Sequence, residues 1–544
     1  MYDYIVVGAG SAGCVVASRL SEDPGVRVLL LEAGPADDRV EVRIPAAFGK
    51  LFKTDMDWAY ETEPEEHLRG RRLFWPRGRM LGGSSSMNAM VWARGHPADY
   101  DEWRALGNTG WSWDDVLPVF RRIERCGRGP ADHRGCEGPV HVTDLRDPNP
   151  ATRAFVEAAR QAGIPRSTDI NGPGNDGVDF TQVTQRRGSR WSAADAYLRP
   201  TRRRRNLHVL TGAQATRILM EGLRAAGVQY MIGGRTEEAR ARLEVVVAAG
   251  TVNTPHLLML SGIGPAAALR QAGVAPLHDL PGVGANLQDH LLAGLIVRCP
   301  LPISLVAAES KANLLRYFVM RRGMLTSNVA EALAFLRSEP DLPAPDYELV
   351  FAPVPYIDHG LVRPPGHGLS IGVVLLRPAS RGRIRLRSAD PLLPPAIEAN
   401  YLSDAAGHDI AVMRVGMRTA VRIFGMPALR AFVGDCLEPA RLPETDEELD
   451  AHIREQAETL YHPVGTCRMG PGPDAVVDAQ LRVHGIAGLR IADASVMPVI
   501  VRGHTHAATL MIGEKAAAMM RAALPATVPA VVAPAMATPR LAPS

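Results

Sequence analysis

The stretch that decides the fold is residues 2–34, YDYIVVGAGSAGCVVASRLSEDPGVRVLLLEAG. A β-branched run precedes GAGSAG at residues 8–13, and an apolar helical pattern follows it. A second apolar run, at residues 28–31, ends at Glu32. This is the G-x-G-x-x-G motif in its required setting, with a strand before it, a helix after it and an acidic residue about twenty positions later. The stretch predicts a dinucleotide-binding unit of the Rossmann type.

Each residue of this motif has a physical task. Gly8 permits the tight turn, Gly10 lets the backbone approach a pyrophosphate, and Gly13 lets helix and strand pack closely. The helix offers free N–H groups and the positive end of its dipole to phosphates. Glu32 would accept hydrogen bonds from the ribose hydroxyls and repel a 2′-phosphate. The motif alone does not choose between FAD and NAD, and a glycine-rich turn without a ligand is the structural alternative.

The bulk properties exclude several classes of protein. A chain of 544 residues predicts two or more domains. Its 46% hydrophobic and 22% charged residues are an ordinary balance, and its net charge of +3 gives no reason to expect nucleic acid or an anionic membrane. The arginine run at residues 202–205 is short and has no aromatic neighbours, so we interpret it as a solvated face. No apolar run approaches the length of a membrane helix, and a strand that begins at residue 2 or 3 leaves no room for a signal peptide.

The six cysteines are scattered and contain no C-x-x-C. Cys126, His133 and Cys136 lie near one another in sequence but lack a fourth ligand, so we expect no metal site there. Free thiols fit a reducing compartment, and we expect the protein to be cytoplasmic.

Three more stretches carry a family pattern. They are GRMLGGSSSMNAMVWARGHPADYD (78–101), GTVNTPHLLMLSGIG (250–264), and YHPVGTCRMG (461–470) with IADASVMPVIVRGHTHAATLMIGEKAA (491–517). Together with the N-terminal motif they make the chain similar to the glucose–methanol–choline (GMC) oxidoreductases, flavoenzymes that oxidise alcohols. The resemblance implies an α/β fold similar to glucose oxidase, in which a Rossmann-like FAD-binding domain carries an inserted α+β substrate-binding domain. It also favours FAD over NAD.

Changes in the pattern of apolar, polar and turn residues along the chain suggest how the two domains alternate in sequence. We predict FAD-binding segments at 1–150, 201–300 and 456–523, with residues 35–77 as an excursion over the surface. Substrate-domain segments are predicted at 151–200 and 301–455, and a disordered tail rich in Pro and Ala at 524–544. We also predict one strand over 206–219, and helices over 113–125, 151–162, 409–424 and 507–523.

The resemblance implies a catalytic pair, His462 and His506. The family has His at the first position and His or Asn at the second; His506 matches the glucose and aryl-alcohol oxidases, whereas choline enzymes have Asn. His462 would take the hydroxyl proton, because the pKa of a histidine lies close to working pH. His506 would hold the oxygen in line or share the proton. No metal is expected at His462, His504 and His506.

The resemblance also implies a set of FAD contacts along the motifs. The cofactor residues are expected to be Gly8, Gly10, Ser11, Ala12, Gly13, Glu32, Ala33, Arg79, Gly82, Gly83, Ser84, Asn88, Met90, Val91, Ala215, Ala249, Gly250, Asp493, Ala494, His504, Thr505 and Thr509. Met87 stands where covalently flavinylated choline oxidases have His, so we expect non-covalent FAD. Glu331 and Val464 are expected near the substrate, where Glu331 could pair with a cationic group or form a structural ion pair.

The resulting expectation is a FAD-dependent enzyme that oxidises a primary or secondary alcohol to an aldehyde or ketone. Its partners would be a small alcohol and O₂ or another electron acceptor, with no nucleic acid and no membrane span. The alternatives left open are a non-redox flavoprotein such as a hydroxynitrile lyase, a fatty-acid-decarboxylating photoenzyme, and a binding module without activity. The sequence does not name the alcohol, the acceptor or the oligomeric state.

Overall fold

The computed structural model describes residues 1–523, and the predicted tail at 524–544 lies outside them. Eleven α-helices are found in the described chain. They are α1 (Ser11–Leu20), α2 (Val40–Arg43), α3 (Pro97–Ala105), α4 (Trp113–Ile123), α5 (Pro150–Gln161), α6 (Gly250–Leu260), α7 (Ala266–Gln271), α8 (Lys311–Met320), α9 (His408–Phe424), α10 (Asp446–Gln456) and α11 (Thr505–Ala522). The helices predicted over 113–125, 151–162, 409–424 and 507–523 are therefore confirmed.

Two sheets form the framework, and short two- and three-stranded ladders lie around them. The first sheet contains β1 (Tyr2–Val7), β2 (Val28–Leu31), β3 (Leu207–Leu210), β4 (Ala213–Glu221), β5 (Arg224–Ile232), β6 (Arg235–Val247) and β13 (Leu489–Ile491). The second contains β7 (Leu291–Cys299), β8 (Ala332–Leu336), β9 (Tyr347–Ala352), β10 (His367–Leu375), β11 (Cys436–Glu438) and β12 (Glu458–Thr459).

The first sheet has a parallel half that carries the nucleotide motif. Its strand order is β3-β2-β1-β6-β5-β4, with β13 on the other side of β6. Strands β3, β2, β1, β13 and the second half of β6 run parallel, so their carboxyl ends meet at one edge. In open α/β sheets this edge is where ligands bind. The Ile5-Val6-Val7 end of β1 and the Val/Leu sequence of β2 are buried, which fits strands that are covered on both faces.

Helices α1 and α11 pack closely against each other beside this sheet. A Cβ added at Gly513 in α11 would lie 3.0 Å from the Ala12 carbonyl oxygen and 3.0 Å from Val15 Cβ. The glycine therefore allows the two helix backbones to approach. Because of this contact, the first turns of α1 and α11 open toward the same space.

The prediction of one strand over 206–219 is wrong in one respect. The chain turns at Gly212, whose φ is +66°, and this turn separates β3 from β4. Strand β3 pairs parallel with β2, whereas β4 pairs antiparallel with β5. The positive φ at Gly212 bends the chain within an apolar run whose periodicity looks continuous, so the strand pairing changes from β2 to β5.

The second sheet is antiparallel, with the order β8-β9-β10-β7-β11 and β12 beside β7. Helix α9 covers one of its faces, where a Cβ at Gly416 would lie 2.3 Å from Val373 Cγ1. This sheet corresponds to the predicted inserted α+β domain. Strand β7, which we assigned to the nucleotide-binding segment 201–300, belongs to this second sheet instead.

Residues 35–77 form little regular structure, as expected, but they do not run over the surface. Phe48, Phe52 and Phe74 are buried in a small apolar cluster with Met56 and Met87. The expectation of a surface excursion was wrong because the aromatic residues of this segment cover the space between the two sheets.

No helix among residues 1–523 combines the length and the apolar character needed to cross a membrane.

Candidate active site

A cavity begins at the carboxyl edge of the parallel strands and extends to the second sheet. Most of the predicted cofactor residues line it. They are Gly8, Gly10, Ser11, Ala12, Glu32, Ala33, Gly83, Ser84, Asn88, Met90, Val91, Ala215, Ala249, Gly250, Asp493, Ala494, His504, Thr505 and Thr509. Both predicted catalytic histidines, His462 and His506, are also in its wall. The fold thus brings residues from every motif to one place.

The glycines of the first motif have distinct environments in this wall. A Cβ at Gly8 would lie 2.5 Å from the Ala248 carbonyl oxygen, and one at Gly13 only 1.8 Å from the Gly8 carbonyl oxygen. At Gly10 the nearest atom would be 4.0 Å away. Gly8 and Gly13 are therefore required by the packing of the chain, whereas Gly10 leaves room that opens into the cavity.

The space beside Gly10 is suited to binding a dinucleotide. The α1 helix begins after Gly10 without any side-chain cap, so its first amides remain available to phosphate oxygens. Gly250, at the start of α6, has φ +82° and no atom within 4 Å of an added Cβ. Two helix starts with bare backbone at one cavity wall fit the phosphates and the adenosine of FAD.

Glu32 lies at the end of β2 in the adenosine half of the cavity. Its carboxylate accepts hydrogen bonds from the amides of Ala9 and Gly34, each 2.9 Å long. Burial raises the pKa of Glu32 to about 7. The remaining lone pairs of the carboxylate can accept the ribose hydroxyls, as the sequence predicts.

Three predicted cofactor residues do not line the cavity. Gly13 packs against Gly8, as described above. Arg79 places its guanidinium over the ring of Trp58, 5.0 Å from the centroid. The amide of Gly82 donates to the Ala9 carbonyl oxygen at 2.8 Å, which joins the second motif to the first. These three residues support the wall through contacts within the chain, and their direct contacts with the cofactor stay a prediction.

The second motif is held by an arginine that the sequence analysis missed. Arg190 is fully buried and donates to the Val42 carbonyl oxygen at 2.9 Å and to Asn88 Oδ1 at 2.7 Å. Burial lowers the pKa of Arg190 to about 9. The oxygen of Asn88 is thus occupied within the chain, and its amide group remains available to a ligand.

Asp493 connects the C-terminal segment to α6. Its carboxylate accepts from the amide of Gly250 at 2.9 Å and from Thr254 Oγ1 at 2.6 Å. Burial raises the pKa of Asp493, and these hydrogen bonds oppose the rise. The same helix start holds the His462 loop, because Thr251 Oγ1 donates to the Pro463 carbonyl oxygen at 2.7 Å.

The histidine beside His462 is His504 and not His506. The rings of His462 and His504 meet edge to face, with centroids 4.7 Å apart. His506 instead lies 3.0 Å from Ser11 Oγ through Nδ1 and contacts Trp92. The ring contact with His462 is therefore made by His504, and the catalytic role of His506 stays a prediction. The cause is the start of α11: His504 is the extended N-cap residue, whereas His506 is inside the first turn and points toward α1.

The orientation of His462 is set by a buried neighbour, His290. Nε2 of His290 lies 3.2 Å from the Leu376 carbonyl oxygen, which can only accept, so this nitrogen carries the hydrogen. Burial lowers the pKa of His290 to about 3 and keeps the ring neutral, so its Nδ1 is an acceptor. Nδ1 of His462 lies 3.0 Å from this atom and must donate to it. The lone pair of neutral His462 is therefore on Nε2, as a general base requires.

His462 is also held through its backbone. Its amide donates to Asp289 Oδ1 at 2.8 Å, and Thr459 Oγ1 donates to Oδ2 of the same carboxylate at 2.6 Å. Burial lowers the pKa of His462 well below its ordinary value, and the neighbouring His504 adds to this effect. Tyr461, the preceding residue, has φ +68°, so the chain turns sharply to present His462.

His504 has a carboxylate partner in the second sheet. Glu348 on β9 is completely buried, and its Oε1 lies 3.1 Å from His504 Nε2. This contact fixes the orientation of the His504 ring. The two histidines therefore have different surroundings, one with a neutral histidine neighbour and the other with an acid.

The wall on the substrate side of the histidines is mainly apolar. Its members come from the second sheet and from the 35–77 segment and include Phe48, Phe52, Leu292, Val329, Val350, Ala352 and Leu460. Glu32 and Asp493 are the carboxylates among the lining residues in the described chain, and both lie in the nucleotide half. The substrate half therefore offers no acidic partner from residues 1–523.

The two residues expected near the substrate lie outside this cavity wall. Glu331 is buried and its carboxylate accepts from Thr152 Oγ1, from Ser327 Oγ and from the Asn149 amide. Burial raises the pKa of Glu331. Val464 is buried and forms a backbone ladder with Gln288. Glu331 thus accepts hydrogen bonds from neutral groups, and no ion pair is observed for it among residues 1–523.

The sequence analysis missed Asp289, His290 and Glu348 as well as Arg190. The signal that could have found the first two is the buried acid–histidine pair in Gln288-Asp289-His290, directly before a strand. Glu348 lies inside a strand with no local motif. Of the residues once considered for a metal, Cys126 is buried, Cys136 is exposed, and His133 Nε2 lies 3.0 Å from Asp169 Oδ2.

Comparison with known proteins agrees with this architecture. Two family models described as GMC oxidoreductase match residues 2–292 and 378–513. The chain therefore belongs to the GMC oxidoreductase family. It is similar to an uncharacterized GMC-type oxidoreductase of Mycobacterium bovis, with 52% identity over 95% of this chain and 99% of that protein.

Two further relatives are informative. The alcohol dehydrogenase [acceptor] of Pseudomonas putida is 44% identical over 95% of each chain. The crystal structure of pyridoxine 4-oxidase from Mesorbium loti superposes with a TM-score of 0.88 at 34% identity, and the match covers 96% of this chain and 99% of that one. The family and these relatives support oxidation of an alcohol in general.

Proposed function

We propose that this protein is a FAD-dependent enzyme that oxidises an uncharged alcohol to an aldehyde or ketone. The observation that carries the proposal is the His462–His504 pair in the wall between the two sheets, with the free lone pair on His462 Nε2. FAD, when bound, supplies the two-electron acceptor for the hydride of the carbinol carbon, and O₂ or another acceptor then reoxidises it.

His462 acts as the base for the hydroxyl proton. Its depressed pKa keeps the ring neutral at neutral pH, and His290 directs the lone pair to Nε2. Removing this proton as the hydride leaves lets the electrons of the O–H bond form the carbonyl. A general base of this kind contributes about 10² to 10⁴ in rate.

His504 holds the substrate oxygen in line. Its partner Glu348 anchors the ring through Nε2. A fixed imidazole beside the oxygen keeps the reacting groups aligned as the proton leaves. His506, bonded to Ser11 at the start of α1, is assigned to the cofactor half.

The FAD is held non-covalently. Supporting this, the residue at position 87 is a buried Met in the cavity wall, and a thioether does not form the stable link that a His provides. Acid denaturation of the purified protein is expected to release all flavin into the supernatant, and flavin that stays with the precipitated chain would contradict this.

The test of the proposed function is anaerobic mixing of holoenzyme with a panel of aliphatic, aryl, furanic, sugar and cationic alcohols. Loss of the flavin band near roughly 450 nm reports hydride transfer. His462→Ala is expected to retain FAD and to reduce it about 10² to 10⁴ times more slowly. The matched control is His408→Ala, which changes a histidine at the start of α9 outside the cavity wall.

Two results would reject the proposal. If bound FAD is reduced by no alcohol, the lyase and binding alternatives become the better explanations. If His462→Ala is reduced at the normal rate, the assignment of the base is wrong. Fast recovery of the band in air identifies an oxidase, and slow recovery a dehydrogenase.

A further inference from the structure

An apolar patch lies on the outer face of α8, far along the chain from any family motif. Of the sixteen exposed large hydrophobic residues in the described chain, six fall within residues 301–320. They are Leu301, Val306, Leu315, Phe318, Val319 and Met320. Clustering of this kind on one short segment marks an interaction surface, whereas single exposed apolar residues need no explanation.

Helix α8 presents three of these side chains, Leu315, Phe318 and Val319, on one face, and Met320 ends the helix beside them. Tyr317 is the buried residue of α8, and its hydroxyl donates to the Arg43 carbonyl oxygen at 3.2 Å. At 100° per residue, Leu315, Phe318 and Val319 lie together on the opposite side of the helix. Val319 is 72% and Leu315 66% exposed. The most apolar face of α8 therefore points away from the protein.

Basic residues surround this face. Residues 301–325 contain four basic residues (Lys311, Arg316, Arg321 and Arg322) and one acidic residue, Glu309. The formal net charge of this segment is therefore +3, which equals the net charge of the whole chain. Lys311 lies one turn before Leu315 on the same face, and Arg322 follows the end of the helix. Of the nearby acids, Asp147 is 3.3 Å from Arg322, and Glu309 is 3.0 Å from Lys50.

The α8 patch consists of four apolar residues, Leu315, Phe318, Val319 and Met320, and of the basic residues around them, Lys311, Arg316 and Arg322. We propose that the α8 patch docks the protein onto an anionic lipid bilayer, with α8 in the plane of the interface. A short helix with Phe and Leu on one face and Lys and Arg beside it has the character of an interfacial helix. The long basic side chains reach phosphate headgroups while their stems lie along the apolar face.

The charge distribution favours a bilayer over a second copy of the chain. In a twofold-symmetric dimer the α8 patch would face itself, which would bring Lys311, Arg316 and Arg322 of the two copies together. Such like-charge contacts oppose association, whereas an anionic surface is complementary to them. A bilayer also accepts apolar side chains without a shaped partner surface.

The α8 patch lies over the wall of the catalytic cavity. Beneath α8, Tyr317 packs with Ala308, Leu325, Ile44 and Ala47. Phe48, the next residue along the chain, lines the cavity. Docking would therefore hold the cavity near the membrane surface, where apolar alcohols and lipid-soluble electron acceptors are concentrated. This consequence rests on the proposed function, but the docking itself does not.

The experiment is flotation of the full-length holoenzyme with phosphatidylcholine vesicles and with vesicles that also contain phosphatidylglycerol. We expect binding to the anionic vesicles, weaker binding to the neutral ones, and loss of binding when NaCl rises from about 50 mM to about 500 mM. Leu315→Glu with Phe318→Glu should lower the bound fraction at least about tenfold. Lys311→Glu should weaken binding to the anionic vesicles only.

The matched control is Leu223→Glu with Leu277→Glu, two exposed leucines outside the α8 patch, which should bind as the wild type does. Alcohol-dependent flavin reduction in detergent-free buffer should be unchanged in all variants, so failure of docking and failure of the proposed activity are distinguished.

Three outcomes would overturn the proposal. The first is no binding of the full-length chain to any vesicle. The second is a solution dimer, seen by light scattering, that Phe318→Glu dissociates, which would assign the α8 patch to a second copy. The third is vesicle binding that is lost when residues 524–544 are removed, which would assign the binding to that segment.

Discussion

At the scale of single residues, two histidines two positions apart have different environments because of where α11 begins. His504 precedes the first turn with an extended backbone, φ −97° and ψ +129°, and its ring reaches His462. His506 is two residues further, about 200° around the helix axis, and contacts Ser11. Spacing along the chain does not show which ring contacts His462, since both histidines belong to one short run. The helix start decides this contact.

This difference gives a direct prediction. His504→Ala should slow alcohol-dependent flavin reduction about 10²-fold or more, because it removes the group that orients the substrate oxygen. His506→Ala should mainly weaken FAD retention, seen as a lower flavin-to-protein absorbance ratio. The rate of flavin reduction should be measured per bound FAD. Equal loss of that rate in both variants would contradict the pairing.

The pKa of His462 predicts a pH profile. Burial and His504 lower this pKa well below 6.5, so the base is neutral at and above pH 6.5 and becomes protonated only in more acidic solution. The rate of flavin reduction should therefore stay level from about pH 8 down to about pH 6.5 and fall below that.

The variant His504→Ala provides the internal check. Since His504 lowers the pKa of His462, its removal should move the acidic limb of the profile to higher pH. Stopped-flow reduction at saturating alcohol measures both profiles. An acidic limb above pH 7 in the wild type would show that His462 is not the titrating base.

At the scale of elements, the glycines of the G-x-G-x-x-G turn serve two different purposes. Some allow close packing of the chain, and others leave space for a ligand. Gly13 is required by the chain itself, because its Cβ position is only 1.8 Å from the Gly8 carbonyl oxygen. Gly10 has φ −76°, which any residue can adopt, and 4.0 Å of clearance. The absence of a side chain at Gly10 therefore leaves space for a ligand and is not needed for the packing of the chain.

A pair of substitutions tests this separation. Gly13→Ala should destabilise the apoprotein by about 2–3 kcal/mol or more, because strand or helix must shift. Gly10→Ala should leave the melting temperature of the apoprotein nearly unchanged and strongly reduce FAD binding, because the methyl group occupies the approach to the pyrophosphate. Thermal unfolding of apoprotein and flavin titration measure the two effects. Normal FAD affinity in Gly10→Ala would argue against the assigned position of the pyrophosphate.

At the scale of the whole molecule, two sheets of different type enclose one cavity, and its two halves differ in charge. The parallel edge supplies bare amides, Glu32 and Asp493, whereas the antiparallel sheet and the 35–77 segment supply apolar side chains. Under the proposed function, the second half receives the substrate. Charge selection therefore depends on how the two sheets are placed together, and no single motif encodes it.

The substrate half predicts discrimination against cationic alcohols. Moving a quaternary ammonium group into an apolar wall without a carboxylate is costly, so choline should have a kcat/KM at least about 100-fold below that of an uncharged alcohol of similar size. The comparison should use isosteric 3,3-dimethylbutan-1-ol, which lacks only the charge. A preference for choline would show that a carboxylate, Glu331 included, reaches the substrate after all.

Much of the fold and the cofactor half could be predicted from sequence, for a local reason. The strand–glycine–helix pattern of residues 2–34 determines its own backbone geometry, and 19 of the 22 predicted cofactor residues line the cavity. The position of the strand break at Gly212 and the burial of Phe48, Phe52 and Phe74 could not be predicted. The spacing of apolar residues predicts which face of an element is buried, but it does not predict which other element packs against that face.

What the sequence determined by itself was the GMC-type α/β architecture, most of the residues on the nucleotide side of the cavity, and the presence of His462 in its wall. These depend on residues close together in the chain, whose backbone conformation requires glycine or a helix start. Only the tertiary structure decided that His290, Asp289 and Glu348 orient the two histidines, that His504 is the partner of His462, and that α8 leaves an apolar face outward. The histidine contacts join segments that are more than 40 residues apart in the chain, and the exposed face of α8 reflects the absence of such contacts within residues 1–523. Burial and hydrogen-bond direction arise only when the two sheets meet.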